Sequence, residues 1–99
     1  MLLATRTITK GDTRRYEIDY REFLDQGIVL SDPVVSIVPA IPAITSTVQN
    51  ASLDAAEKKL YFFVTGGTAL NEVFTVAVQV QDSNLETVND TLQFTIVAP

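Results

Sequence analysis

Apolar and polar residues alternate most regularly toward the C-terminal end of the chain. Over residues 72–81, Phe74, Val76, Val78 and Val80 fall on one face and Thr75, Ala77, Gln79 and Gln81 on the other. Alternation with period two and β-branched side chains is what a half-buried strand requires. Residues 91–97 repeat the pattern, with Leu92, Phe94 and Ile96 inward and Thr91, Gln93 and Thr95 outward. The polar cluster Asp82-Ser83-Asn84-Leu85-Glu86 lies between them and has the composition of a turn. Together these segments predict a C-terminal hairpin.

A further strand is expected over Lys58–Thr65. Leu60, Phe62 and Val64 share one face there, and Tyr61 and Phe63 share the other. The pair Gly66-Gly67 ends it, since adjacent glycines permit positive φ and a sharp exit. Asp54-Ala55-Ala56-Glu57 has a helix-capping pattern, but strands on both sides leave room for a tight turn instead. Earlier in the chain, Arg14–Tyr20 places Arg15, Glu17 and Asp19 on one face and Tyr16, Ile18 and Tyr20 on the other. Arg21–Gly27 then breaks the period. Phe23 and Leu24 can anchor a single helical turn near residues 21–26, ended by Gly27. Ile28–Leu30 and Pro33–Val38 read as extended, with Pro33 suited to a strand start or a sheet edge. Pro39 and Pro42 bracket an irregular crossing. Ile44–Gln49 and Asn50–Leu53 read as short outer strands, and residues 1–9 as an N-terminal edge strand or arm, with the strand at Leu2–Thr9.

The count is seven to eight short strands with turn signals every 8–12 residues or so, the spacing of a sandwich or barrel. No amphipathic helix is long enough to cover a parallel sheet. The fold class is therefore all-β: one immunoglobulin-like antiparallel β-sandwich occupying residues 1–99. The length of 99 residues suits a single such domain.

Composition narrows the function. Hydrophobic residues make up 46% of the chain and charged residues 19%, enough to build a core and too little charge for a disordered chain. There is no cysteine and no histidine. That removes disulfides, Ser-His-Asp and Cys-His catalysis, and conventional zinc or iron sites. Folding then needs no oxidising compartment, which fits a cytosolic origin. The opening Met1-Leu2-Leu3-Ala4 is too short for a signal peptide, and no apolar run approaches a membrane span. The net charge of −5 argues against nucleic acid as a partner. The charge is uneven: residues 1–21 carry a net of +2 and the remainder a net of −7. Two readings of this stand: a solvated surface with chance asymmetry, or a basic N-terminal edge that meets an acidic partner.

The remaining chemical motifs are weak. Gly66-Gly67 lacks the following Lys of a phosphate loop. Paired carboxylates could in principle hydrolyse a glycoside, but a sandwich this small offers little depth for a cleft, and no enzymatic activity is expected. Asp82, Asn84 and Glu86 alternate as oxygen ligands of a calcium loop would, without the loop's length or glycine. A solvated turn is the expectation, with no metal and no cofactor. Asn50-Ala51-Ser52 and Asn89-Asp90-Thr91 match the glycosylation triplet as chance matches. Tyr61 and Phe63 remain. Either the N-terminal segment covers them, or they form an exposed aromatic patch at a subunit contact. With the basic residues Arg6, Lys10, Arg14 and Arg15 they make up the candidate protein interface.

Four pieces of sequence carry a family resemblance. They are Tyr16-Glu17-Ile18-Asp19-Tyr20 followed by Arg21-Glu22-Phe23-Leu24 and Gly27; the short Val-rich strand ending in Pro39; Phe63-Val64-Thr65-Gly66-Gly67; and the pair Val73-Phe74-Thr75-Val76 and Phe94-Thr95-Ile96-Val97. In this order and spacing, over about residues 8–97, the chain resembles the small immunoglobulin-like structural proteins of tailed bacteriophages, described as fiber–tail adaptor or tail-associated proteins. The resemblance implies a virion component assembled in the bacterial host cytoplasm. It would be present in multiple copies, bridging tail or connector and fiber proteins, with no nucleic acid, membrane or small-molecule substrate. A capsid decoration protein and a carbohydrate-binding or adhesion module are the alternative expectations.

Overall fold

A computed structural model describes residues 2–20, 30–38, 44–54 and 58–99, with the backbone alone at residues 50 and 51. It contains seven strands: β1 (Leu2–Thr9), β2 (Thr13–Asp19), β3 (Leu30–Val38), β4 (Thr47–Asp54), β5 (Lys59–Thr65), β6 (Val73–Asp82) and β7 (Thr87–Val97). They form a four-stranded sheet in the order β1-β7-β6-β3 and a three-stranded sheet in the order β2-β5-β4. The two sheets pack as an all-β sandwich, and among the described residues there is no helix. The helical turn expected near residues 21–26, the Pro39–Pro42 crossing and residues 55–57 of the expected turn lie outside the described residues.

The core follows from the alternation. Leu60, Phe62 and Val64 of β5 face Phe74, Val76, Val78 and Val80 of β6, and Leu92, Phe94 and Ile96 of β7, all buried. The β6–β7 register places Phe74 beside Phe94 and Val76 beside Leu92. Phe74 and Phe94 stack with centroids 5.4 Å apart. Tyr16 crosses the sandwich. It lies 6.0 Å from Phe62 of its own sheet and 5.0 Å, edge-on, from Phe94 of the other. Burying such side chains contributes about 1.5–3 kcal/mol each, which is how a chain without disulfides holds two sheets together.

Leu30 and Pro33–Val38 are extended as expected and lie in one strand, β3, with a register shift between Ser31 and Val34 and Asp32 at φ 52°; Ile28 and Val29 lie outside the described residues. Two expectations are corrected. Ile44–Gln49 and Asn50–Leu53 are not two strands: β4 starts at Thr47 and carries a shift between Gln49 and Ser52. A bulge inserts a residue and flips the facing of the residues beyond it, so a continuous strand reads as two. The sandwich is also not wholly antiparallel, since β1 pairs parallel to β7. No hairpin joins these two strands, so nothing obliges them to run in opposite directions. As expected, β1 is an edge strand, and Pro33 sits on the opposite edge strand, β3.

Gly66 and Gly67 act by close approach and not by positive φ; among the described glycines only Gly11 has one, at 81°. A Cβ at Gly66 would lie 2.6 Å from the Thr9 carbonyl oxygen, and one at Gly67 would lie 2.1 Å from Thr45 Oγ1. The Lys10–Asp12 turn docks here. Gly11 N–H donates to Gly66 O (3.0 Å), and Gly66 N–H donates to Asp12 O (2.8 Å). This clamp ties the end of β5 to the crossing between β1 and β2.

Candidate functional site

β5 is the central strand of its sheet, so its outward residues are flanked on both sides. Tyr61 lies opposite Glu17 of β2 and Ser52 of β4, and Phe63 lies opposite Arg15 and Gln49. The Arg15 guanidinium stands 5.0 Å from the Tyr61 ring centroid, a cation–π contact worth about 0.5–1 kcal/mol at an exposed site. Tyr61 and Phe63 are each half-buried. Their partial cover comes from neighbours in their own sheet. It does not come from β1, which belongs to the other sheet. Arg15, Tyr61 and Phe63 therefore form one cluster on the outer face of β2-β5-β4.

The other expected cations do not join it. Arg14 is in register with the buried Val64, so it leaves the rim of the edge strand and meets Asp12 at 3.2 Å. Arg6 is in register with Phe94 and donates to the Thr5 carbonyl at 3.1 Å, on the rim between β1 and β2. There it borders a depression of about 240 Å³ together with Glu17 and Asp19. Lys10 sits in the turn, where its N–H donates to Val97 O at 2.9 Å. The basic segment is thus split between one face, one rim and one end.

Two tyrosines have raised pKa values. Burial raises Tyr16, and Asp12 adds to this, while Arg14 and Arg6 oppose it. Tyr20 is 2% exposed. Burial again comes first, the negative charge of Asp90 second and the approach of the hydroxyl to that carboxylate third. The approach is too loose to complete a hydrogen bond. Tyr20 comes directly after β2 and Asp90 lies on β7, so the contact links the two sheets.

The Asp82–Glu86 segment is a backbone-capped turn. Asp82 Oδ1 accepts from Asn84 N–H and Glu86 N–H, both at 2.9 Å. Leu85 adopts φ 65° at the tip. Among the described residues no group of three or more acids could hold a metal ion, and no helix is long and apolar enough to cross a membrane.

Sequence reasoning missed the outer face of the four-stranded sheet. Its outward positions on β1, β7, β6 and β3 are Thr, Ser, Asn, Gln, Ala, Val and Leu, with no charged residue. The outer face of the three-stranded sheet carries Arg15, Glu17, Asp19 and Lys59. The signal was available in the charge-free outward sets Thr75-Ala77-Gln79-Gln81 and Thr91-Gln93-Thr95, but it becomes a surface only once the strand order is known. No protein-family model matches the chain, and no curated protein matches it.

Proposed function

We propose that this chain is a non-enzymatic interaction module: an immunoglobulin-like adaptor in the virion of a tailed bacteriophage, present in several copies and bridging tail or connector proteins to fibers. The observation that carries the reading is the Arg15–Tyr61–Phe63 cluster on the outer face of β2-β5-β4. Arg and aromatic residues are enriched where proteins meet, and they supply most of the binding energy there. A half-buried pair of rings with a guanidinium over one of them is already ordered before a partner arrives, which lowers the entropy lost on docking.

Two further observations support it. Lettered A to G in chain order, the strands give B-E-D on one sheet and C-F-G on the other, the arrangement of constant-type immunoglobulin sandwiches; strand A here joins G. The chain also lacks His and Cys altogether, which leaves contact surfaces as its main means of action.

The test is incorporation into particles. Tailed particles released from cells that encode the chain are purified and their proteins quantified by mass spectrometry. The reading predicts the chain in fixed, multiple stoichiometry. It also predicts that the double variant Tyr61→Ala, Phe63→Ala folds but is lost from the particles. Absence of the wild-type chain from purified particles refutes the virion role. Undiminished incorporation of the double variant refutes the assignment of this face.

A further inference from the structure

We infer that the uncharged outer face of β1-β7-β6-β3 is a self-association surface that docks a second copy of this chain about a two-fold axis. The inference concerns the sheet opposite the Arg15–Tyr61–Phe63 cluster and does not depend on the virion reading.

Charge selects the occupant. Each copy carries a net charge of −5, so two copies repel through most of their surfaces. The outward positions of this face contribute none of that charge; Asp32 lies in the β3 bulge at its rim, and Asp90, which adjoins the central depression, is buried. A basic partner would find nothing here to pair with. A second copy brings hydroxyl and amide side chains that both donate and accept, so the face is complementary to itself, as a two-fold contact requires.

Apolar exposure points to the same face. Leu2, Val34, Val38 and Val73 are four of the six exposed large hydrophobics among the described residues, and registers with Thr91, Gln79, Thr75 and Thr95 set all four on this side. They are spread from edge to edge, Leu2 on β1, Val73 on β6 and Val34 and Val38 on β3, so the face is apolar across its width, without one continuous patch. At the middle, Ser36 and Ala77 are small and in register. They floor a depression of about 270 Å³ that reaches Gln79, Asn89 and Thr91. A side chain from the second copy can fill it.

Area sets the strength. Four strands about 4.8 Å apart and about eight residues long make a face of about 19 by 26 Å, or roughly 500 Å² in projection. With side-chain relief, two such faces bury roughly 1,000–1,200 Å², the lower bound of specific interfaces. The dimer is therefore weak, with a dissociation constant in roughly the micromolar range.

The experiment is sedimentation equilibrium of the isolated chain from about 10 µM to about 300 µM, a range that brackets such a dimer. The wild type should rise from the 10.8 kDa chain mass toward twice that value. Gln79→Arg, at an exposed position bordering the central depression, buries a cation with no acid on the apposed face to pair with and should weaken the dimer at least about tenfold. Arg15→Glu, on the opposite sheet, should leave it unchanged. Circular dichroism establishes that each variant is folded, and Thr91→Lys replaces Gln79→Arg if that variant is not. A wild type that stays at single-chain mass throughout overturns the inference. So does a dimer that survives both face variants or is lost with Arg15→Glu.

Discussion

Replacing Gly67 with Ala perturbs one loop contact whose size can be worked out atom by atom. The new Cβ would lie 2.1 Å from Thr45 Oγ1 and 2.4 Å from the Thr45 carbonyl carbon. The second neighbour is backbone, so no rotamer change relieves the clash, and the 44–46 segment must move. Thr45 holds that segment in place. Its N–H and Oγ–H donate to the Glu72 carboxylate at 3.2 and 3.1 Å, and Thr68 N–H donates to Thr45 Oγ1 at 3.2 Å. Next to it, Gly67 N–H donates to the buried Ser46 Oγ at 3.0 Å. Losing these bonds costs about 1 kcal/mol each, and the overpacking itself costs about 1–3 kcal/mol. The alanine recovers about 0.4–1 kcal/mol by restricting the unfolded chain. The expected net loss is about 4–7 kcal/mol, a large part of the stability of a domain this size, about 5–15 kcal/mol. The control is Gly11→Ala, where no atom lies within 4 Å and only the φ of 81° opposes the change. It should cost about 1 kcal/mol. Urea titration monitored by circular dichroism measures both, and Tm should fall by more than roughly 15 °C for Gly67→Ala. A Gly67→Ala loss no larger than that of Gly11→Ala would refute the reasoning. The loop closes the end of β5, so the outcome bears directly on how firmly Tyr61 and Phe63 are held.

Three other outcomes rest on particular side chains. The Tyr20 hydroxyl has a folded-state pKa above the unfolded value of about 10, by burial first and Asp90 second. Above pH 10 or so the folded state therefore binds the proton more tightly, and stability intact below that pH falls as pH rises, by up to about 1.4 kcal/mol per pH unit. Tyr20→Phe should flatten the alkaline limb of a Tm–pH profile; an unchanged limb contradicts the assignment. Leu85 is 80% exposed and sits at φ 65° with nothing to gain from its side chain within the domain. Leu85→Gly should raise stability by about 1 kcal/mol in a denaturant titration, and a destabilised variant would show that the leucine is held by contacts. Asp82→Ala removes the acceptor for two turn amides and should cost about 1–2 kcal/mol. Calcium or a chelator should leave the Tm of the wild type unmoved, and a calcium-raised Tm would revive the metal reading of this turn.

The fold is legible in the sequence where alternation is uninterrupted. β5, β6 and β7 read directly from Leu60-Phe62-Val64, Phe74-Val76-Val78-Val80 and Leu92-Phe94-Ile96, because each set is one buried face of one strand. β3 and β4 read instead as pairs of short segments, since a bulge after Ser31 and another after Gln49 invert the alternation midway. The role of Gly66-Gly67 is hidden because close approach depends on Thr9 and Thr45, both distant in sequence. The same limit applies to the candidate site. Arg15, Tyr61 and Phe63 come together only through the β2–β5 register. Arg6, Lys10 and Arg14 are near Arg15 in sequence but depart because edge strands and turns send them elsewhere. The charge-free face needs all four strands placed side by side before its uniformity can be seen.

The central claim is that this chain acts through a protein contact made by the outer face of β2-β5-β4. A cryo-EM reconstruction of the purified tailed particle at side-chain resolution tests it most directly. The account predicts a seven-stranded sandwich in several symmetry-related copies, with Arg15, Tyr61 and Phe63 buried against a neighbouring tail, connector or fiber protein. A particle without the sandwich, or one in which that face looks into solvent, would contradict it.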